Sequence, residues 1–350
     1  MHRRQFLGCS ASVLAASFFS RLNAAGISTR AIDLVKRSNV IDMLGLLTLN
    51  WSLLERWQSE PERFSEADFN KLRNSGIQVF HPAVAFEDAQ AFEITHAWFA
   101  KWNRLIEGHP QWFVRVDCAE DLTPARRGDR IGIILGMQDA NHLRSLDDLD
   151  AFYKMGQRLT QVTYNAPNRL GAGCMAAGDR GLTKFGTAVV AKMNDIGMAI
   201  DVSHCGERTT LDTIAVSTRP VLITHSNCKA LAGGAPRCKT DEAIVAAAKK
   251  GGVIGLTGIR RFVKASGAVT IEDALDHFDH AVKIAGIEHV GLGSDFDLDG
   301  RGPASDIAGL NRANRVFELT EGLIRRRYSD ENIRLILGGN FERALRGIWS

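Results

Sequence analysis

The chain has 350 residues, of which 45% are hydrophobic and 24% charged, a composition typical of a globular protein with a sizeable core. Its formal net charge is +3, from 43 basic and 40 acidic residues. That near balance excludes the strong positive field with which proteins bind nucleic acids or anionic membranes.

The amino-terminal 25 residues differ from the rest of the chain. Arg3 and Arg4, followed by Gln5, precede an apolar stretch from 6 to 20, small residues follow it, and there is no acidic residue. This order is typical of a secretory signal, and the paired arginines resemble a twin-arginine leader. A frayed amino-terminal helix is the alternative. We therefore expect residues 1–25 to be a signal peptide that directs the protein to the periplasm.

The body of the chain, residues 26–350, has no repeat, low-complexity tract or long linker, so we expect one domain. It has no run of about 18 uncharged apolar residues, which excludes a membrane-spanning segment from the mature chain. Removal of residues 1–25 would take away Arg3, Arg4 and Arg21. The mature chain would then have 40 basic and 40 acidic residues. Five cysteines would remain without a CxxC pair, and this odd number predicts at least one free thiol.

Short apolar runs recur along the body, and each is bounded by polar residues or glycine. They are too short for helices and are typical of strands buried on both faces of a parallel sheet. In chain order the predicted strands are 39–43, 77–81, 131–137, 159–164, 198–203, 220–224, 252–256 and 289–293.

Segments with helical periodicity lie between these strands. The clearest are 183–196 and 274–284, and two more helices, 305–326 and 329–346, are predicted after the last strand. Eight strand–helix units in about 310 residues predict the α/β class and a (β/α)8 TIM-type barrel. A doubly wound open sheet is the alternative.

Residues capable of chemistry stand at the ends of three predicted strands. His204 follows the fifth strand, His225 ends the sixth, and Asp295 follows the eighth. In a barrel the carboxyl ends of all strands meet at one face, where the active sites of this fold lie. Each histidine alone is more often structural, but two imidazoles and a carboxylate at one face favour a divalent metal site.

Short motifs that resemble the membrane (renal) dipeptidase family run in order through almost the whole body. Each motif alone is weak, whereas the ordered set is specific. The resemblance implies a barrel of the metallo-dependent hydrolase type and a dipeptidase-like metallopeptidase. The motifs include 168–171, 201–204, 224–226, 290–297 and 338–341.

In that family two zinc ions lie at the carboxyl-terminal mouth of the barrel. The resemblance implies that His204 and His225 bind metal and that Asp295 handles protons during catalysis. It also implies that Arg237 binds the carboxylate of the substrate, a task that suits the forked donors of a guanidinium. Tyr164 stands where the family has a substrate-polarising histidine, although bacterial relatives often have tyrosine there.

Three ligand positions of the family hold other residues in this chain. Leu44 and Leu46 replace the histidine and aspartate that bind the first metal, and Gln138 replaces the glutamate that bridges both. Leucine cannot coordinate zinc, and a neutral amide is a poor ligand for it. We therefore expect at most one zinc ion, bound at His204 and His225.

A single metal would need a third ligand. His81, at the end of the second strand, and Asp139, beside Gln138, are candidates, although His81 fits equally well as a turn residue before a proline. Cys205 and Cys228 lie close to the two histidines. They would be zinc ligands or nucleophiles if their thiols ionised, but buried cysteine is more often a small core residue.

Two functions are compatible with these residues. The first is a metal-dependent hydrolase of a dipeptide or another small carboxylate-bearing amide, or a lyase or isomerase on the same scaffold. The second is a catalytically impaired protein that binds a small carboxylate. A third donor beside the two histidines would favour the enzyme, and a leucine-lined gap would favour binding alone. The family tends to form dimers, so the resemblance also implies a homodimer.

Overall fold

The computed structural model describes Leu22, Ala24 and residues 26–299, 307–310 and 312–350. The predicted signal peptide, residues 1–25, otherwise lies outside the described residues, as does the start of the helix predicted at 305–326. No helix within these ranges combines the length and the apolar character that crossing a membrane requires.

Every predicted strand overlaps an observed one. The third predicted strand appears as two short strands separated by Ile134, and β3 was not predicted. The strands are β1 (Ile41–Asp42), β2 (Val79–Phe80), β3 (Phe113–Arg115), β4 (Ile131–Ile133), β5 (Leu135–Met137), β6 (Gln157–Gln161), β7 (Ala199–Asp201), β8 (Val221–Ser226), β9 (Ile254–Leu256) and β10 (Val290–Leu292).

All strand pairs are parallel. One sheet has the order β1-β2-β4-β3 and the other the order β10-β9-β8-β7-β6-β5. Because β4 runs into β5, the two sheets share this strand. Its first half, β4, pairs with β2 and β3, and its second half, β5, pairs with β6.

Backbone hydrogen bonds beyond β1 and β10 join the two free edges. Met43 N–H donates to Leu292 O over 3.0 Å, Asp295 N–H to Leu44 O over 2.9 Å, and Leu46 N–H to Phe296 O over 3.0 Å. Eight strands therefore form a closed ring, and the predicted (β/α)8 barrel is confirmed.

Helices surround the ring, and the last of them covers one of its ends. They are α1 (Thr29–Arg37), α2 (Trp51–Ser59), α3 (Glu66–Asn74), α4 (Ala91–Gly108), α5 (Pro124–Arg127), α6 (Leu146–Lys154), α7 (Lys184–Ile196), α8 (Glu207–Val216), α9 (Asp241–Lys249), α10 (Arg260–Val263), α11 (Ile271–Ala285), α12 (Arg315–Arg325), α13 (Asp330–Arg334) and α14 (Asn340–Trp349). Short 3-10 turns occupy Pro61–Arg63, Ala119–Leu122 and Ile287–His289.

Helix α7 shows how the sequence sets the ends of a helix. The Thr183 hydroxyl accepts a hydrogen bond from Gly186 N–H, which satisfies a donor of the first turn. At the other end Gly197 adopts a left-handed conformation with φ of 71°, which glycine tolerates without steric cost. These caps confirm the helix predicted at 183–196.

The helix predicted at 329–346 is instead divided into three parts. A π-helical turn, Leu335–Gly339, separates α13 from α14. A Cβ atom at Gly338 would lie 1.9 Å from Asn39 O, so only glycine allows this close approach to the chain before β1. The predicted helix 305–326 is shorter than expected: α12 begins at Arg315, and residues 308–310 form a turn.

The interior of the barrel is apolar at the amino-terminal ends of the strands. Buried side chains there include Ile41, Val79 and Leu159, and they form one cluster with Phe341 and Leu345 of α14. The carboxyl-terminal helix therefore seals this end of the barrel. The opposite end of the ring carries the polar residues.

A buried ion pair fixes the junction between the first and last strands. Arg315 Nη2 lies 3.0 Å from Asp42 Oδ2, and both side chains are almost completely excluded from solvent. Asp42 also accepts hydrogen bonds from Ser294 N–H over 2.8 Å and from the Ser294 hydroxyl over 2.6 Å. The segment after β10, which carries Asp295, is thereby held against β1.

Candidate active site at the carboxyl ends of the strands

A cavity of about 620 Å³ opens at the carboxyl ends of the strands. It brings together several residues that the sequence analysis singled out from distant parts of the chain. Leu46 contributes to its apolar wall. The polar and charged residues that line it are Gln138, Tyr164, Asn165, His204, Arg237, Arg261 and Asp295.

His204, which lines this cavity, forms a direct pair with His225, which lies behind it and is not among the lining residues. Their Nε2 atoms lie 3.0 Å apart, and both side chains are buried. The Tyr164 ring stacks on the His204 ring, with 4.1 Å between centroids and 28° between planes. The expected pairing of the two histidines is therefore present, and Tyr164 restricts the orientation of one of them.

Nδ1 of His225 is held by a chain of buried hydrogen bonds that leads through Thr224 to Asp201. Asp201 accepts hydrogen bonds from the backbone and hydroxyl groups of Ser203 and Thr224. Burial raises the pKa of Asp201, while these hydrogen bonds favour its charged form. Because the Thr224 hydroxyl donates to Asp201, it accepts from Nδ1–H of His225 over 2.8 Å.

Nδ1 of His204 is also held by a hydrogen bond. Its Nδ1 lies 2.8 Å from Asn165 Oδ1, which also accepts from the Cys174 thiol. Burial and the nearby charge of Arg237 hold the pKa of His204 well below its ordinary value. These partners favour a proton on Nδ1 of each ring, and in that tautomer both Nε2 atoms, which lie 3.0 Å apart, carry a lone pair.

The two Nε2 atoms could supply two of the ligands that a cation requires. Histidines that bind metal usually donate the other ring N–H to a protein acceptor, as both do here. Zinc bonded tetrahedrally at about 2.0–2.1 Å to two nitrogens separates them by about 3.3–3.4 Å. The observed 3.0 Å needs only a small adjustment, and a cation would relieve the repulsion between the lone pairs.

The two-metal donor set of the family is not present at the corresponding positions. Leu44 is completely buried, and Leu46 presents an apolar side chain to the cavity. Gln138 donates its amide N–H to Ala83 O over 2.8 Å. In the described part of the chain, no three His, Cys, Asp or Glu side chains are grouped so that they could hold a metal.

Neither predicted third ligand joins the histidine pair. His81 lies inside the barrel, where a Cβ at Gly136 would come within 2.4 Å of its Nε2, and burial lowers its pKa to about 3. Asp139 accepts hydrogen bonds from Asn168 Nδ2 over 2.7 Å and Ala140 N–H over 2.8 Å. Both residues were predicted to lie near the mouth because each stands at or just after the end of a strand. Neither side chain lines the cavity.

Burial raises the pKa of Asp139 to about 6, so its contribution to stability should depend on pH. Its pKa is near 3.9 in the unfolded chain, so folding is favoured while the group is protonated. We expect this contribution, roughly 2–3 kcal/mol, to be lost as the pH rises through about 6. Urea unfolding of metal-free wild-type and Asp139→Asn protein, at about pH 4 and pH 7.5, measures it. An equal difference between the two proteins at both pH values would contradict the prediction.

The cysteines near the histidines are core residues. Cys205 and Cys228 are almost fully buried, and burial raises the pKa of their thiols to about 11 and about 12. A thiol with so high a pKa is not a ready nucleophile, and neither cysteine lines the cavity. The interpretation of these residues as small core side chains is therefore the one that the structure supports.

Two arginines reach the cavity in different ways. Arg237 is buried, and its Nη atoms donate to Ser203 O and His225 O, each over 2.7 Å. Arg261, which the sequence analysis missed, is exposed and also lines the cavity. Arg261 belongs to none of the sequence motifs. Only the folded position of the segment after β9 brings it to the cavity.

Asp295 projects from the end of the eighth barrel strand into the same cavity. Its φ is 59°, in the left-handed region, which is uncommon for residues other than glycine but more accessible to Asp and Asn. Such conformations are often found at functional sites. The hydrogen bond from its N–H to Leu44 O fixes this turn.

Comparison with known proteins gave consistent matches. The family model described as membrane dipeptidase, peptidase family M19, matches residues 28–349. An uncharacterized dipeptidase of Schizosaccharomyces pombe is 34% identical over 337 residues, which is 83% of this chain and 79% of the relative.

Solved structures are also similar. An amidohydrolase from Pseudomonas aeruginosa superposes with a TM-score of 0.80 and 26% identity, over 91% of this chain and 99% of that one. A metallopeptidase from Rhodobacter sphaeroides was solved with a phosphinate mimic of the dipeptide L-Ala-D-Ala. It superposes with a TM-score of 0.74 and 21% identity, over 89% of this chain and 99% of that one. At 21% identity this second similarity shows a shared fold and nothing more.

Proposed function

Since the chain belongs to the membrane dipeptidase family of metallopeptidases, we propose that it is a hydrolase with a single zinc ion. Its substrate would be a dipeptide or another small amide that carries a carboxylate. The observation that supports this proposal is the 3.0 Å contact between His225 Nε2 and Nε2 of His204, which lines the cavity.

The residues of the site would have different roles in hydrolysis. His204 and His225 would hold the ion, which when bound lowers the pKa of a water molecule and polarises a carbonyl. Asp295 faces the same cavity and would move the proton between the water and the leaving amine. Tyr164 and Asn165 keep His204 in position through the ring stack and the Nδ1 hydrogen bond.

Metal content tests this proposal directly. We expect about one zinc per chain in untagged mature protein by elemental mass spectrometry, and its loss in His204→Ala and in His225→Ala. The exposed His96 offers a matched control, because His96→Ala should keep the metal. Protein that binds no metal even after zinc is supplied would contradict the proposal, and two ions per chain would show that other residues rebuild the missing site.

Activity is tested on the same preparations. Dipeptides and N-acyl amino acids form the substrate panel, and hydrolysis should follow zinc content across the three variants. Hydrolysis that is unchanged in metal-free His225→Ala would exclude a role for the ion.

A binding protein is the second candidate function. It is favoured by one observation: within the described residues no third ionisable ligand accompanies the two histidines, and Leu46 lines the same cavity as His204. This candidate predicts carboxylate binding without hydrolysis of any member of the panel, with or without zinc.

We also propose that the protein is exported to the periplasm by the twin-arginine route. The Arg3–Arg4 pair, the apolar stretch after it and the lack of acidic residues in the first 25 positions support this proposal. A homodimer stays a prediction from the family resemblance.

A further inference from the structure

Gln138 presents one amide oxygen to the cavity. Its Nε2 donates to Ala83 O over 2.8 Å. Because a backbone carbonyl oxygen only accepts hydrogen bonds, the amide must turn its nitrogen toward Ala83 and its Oε1 away from it. Within the described ranges no group donates to this Oε1, and unlike the buried Oε1 of Gln161 it is accessible to solvent. Gln138 therefore offers a hydrogen-bond acceptor in the cavity that it lines.

The position of this acceptor is fixed by the backbone on either side of it. Gln138 N–H donates to Val84 O over 2.8 Å, and Gln138 O accepts from the side-chain amide of Gln161. Together with the hydrogen bond to Ala83 O, these bonds hold the residue against the segment after β2. The acceptor is therefore in place before a ligand arrives, which lowers the entropy cost of binding.

The lining of the cavity is divided between a charged and an uncharged side. Its charged and imidazole groups, His204, Arg237, Arg261 and Asp295, follow β7, β8, β9 and β10. The described lining from the segments after β1, β2, β5 and β6 has only uncharged side chains, and we call it the uncharged arc. Gln138 follows β5 within this arc.

A ligand group on the uncharged arc meets an acceptor without a counter-charge. An ammonium there would lose hydration without gaining an ion pair, which is costly. Glu87, the first acidic residue after β2, does not line the cavity and accepts from Ala166 N–H over 3.1 Å. An uncharged N–H donor, by contrast, can exchange its hydrogen bond to water for one to Gln138 Oε1. The arc therefore favours an acylated amine over a free one.

We propose that Gln138 is a specificity-determining residue whose Oε1 accepts a hydrogen bond from the N–H of an acylated amine. The ligand class is an N-acylated dipeptide rather than a dipeptide with a free amino terminus. This inference rests on the proposed function for the position of the scissile amide beside the histidine pair. The acceptor role of Gln138 does not depend on hydrolysis.

The experiment compares three probes that differ at the amino terminus alone. Each is an alanyl-alanine analogue in which a ketomethylene group replaces the scissile amide, so that none is hydrolysed. The terminal group is acetamido, acetoxy or a free ammonium, and calorimetry of zinc-supplied mature protein measures the three affinities. We expect the acetamido probe to bind about three- to tenfold more tightly than the acetoxy probe, which lacks the N–H. It should bind at least about tenfold more tightly than the ammonium probe.

Two substitutions of Gln138 test the role of the oxygen. Gln138→Met keeps the length of the side chain without the acceptor, so it should bind the acetamido and acetoxy probes equally. Gln138→Glu introduces a negative charge and should reverse the preference in favour of the ammonium probe, a result that remains informative if the methionine variant does not fold. Gln111→Met is the matched control, because Gln111 is exposed and does not line the cavity. Each preference is a ratio of affinities measured on one preparation, so a loss of folded protein does not change it.

Three results would overturn the assignment of Gln138: equal affinity of the wild type for the acetamido and acetoxy probes, a preference that persists in Gln138→Met, or one that is lost equally in Gln111→Met. Tighter binding of the ammonium probe by the wild type would refute the ligand class.

Hydrolysis of N-acetyl-alanyl-alanine and of alanyl-alanine is measured in parallel. A probe preference that depends on Gln138, without hydrolysis of either peptide, would uphold this inference and refute the proposed hydrolase. Hydrolysis together with a probe preference that does not depend on Gln138 would do the reverse.

Discussion

Replacing Asp295 with Asn is expected to lower kcat by about 10²–10⁴-fold on whichever member of the substrate panel the protein hydrolyses. Asp295 lines the same cavity as His204, and a carboxylate can exchange a proton with the reacting groups, whereas an amide cannot. Asparagine keeps the shape of the side chain and tolerates the left-handed φ of 59° at this position. Steady-state kinetics of zinc-loaded wild-type and Asp295→Asn protein measures the effect.

A nearby carboxylate provides the control for this substitution. Asp299 lies on the same segment, is half exposed and pairs with Lys71 at the surface, so Asp299→Asn should change kcat little. Metal content and thermal unfolding of both variants should match the wild type. A kcat within threefold of the wild type in Asp295→Asn would remove Asp295 from the proton-transfer step.

Replacing Arg315 with Met is expected to lower the free energy of unfolding by about 3–5 kcal/mol. The substitution keeps an unbranched side chain but leaves the Asp42 carboxylate buried without its ion pair. Ser294 would continue to donate two hydrogen bonds, which do not replace the lost charge. Urea unfolding at about pH 7 measures the change.

A surface pair gives the matched comparison. Arg30 and Asp330 lie 2.6 Å apart with about half of each side chain exposed, so Arg30→Met should cost less than about 1 kcal/mol. Asp42→Asn combined with Arg315→Met should recover part of the stability, because no buried charge is then left alone. A loss of less than 1 kcal/mol in Arg315→Met alone would show that the junction of the first and last strands does not depend on this pair.

The strands of the barrel were predictable because each is buried on both faces. A strand with helices outside and side chains inside has no alternation of polar and apolar residues, so it appears as a short apolar run. Strand β3 escaped this criterion because it pairs only with β4, outside the ring, and two of its three residues are partly exposed. The division of the last helix was likewise missed, since it depends on the contact between Gly338 and Asn39 rather than on periodicity.

The candidate site was predictable where the backbone alone positions a residue. His204, His225 and Asp295 follow directly from strands, and the carboxyl ends of parallel strands meet in any closed barrel. The family resemblance drawn from ordered motifs is confirmed by the match over residues 28–349. The sequence also shows that Leu44 and Leu46, which stand where the resemblance predicts first-metal ligands, lack donor atoms.

The sequence by itself therefore determined the barrel, the family and the histidine pair, since these depend on local hydrophobic patterns and on residue identity. Only the tertiary structure decided where long or loop-borne side chains point. His81 turns into the barrel interior, Arg237 donates to the backbone of neighbouring segments, and Arg261 reaches the cavity. Such directions depend on which distant carbonyl groups, rings and charges become neighbours, and no local pattern along the chain records them.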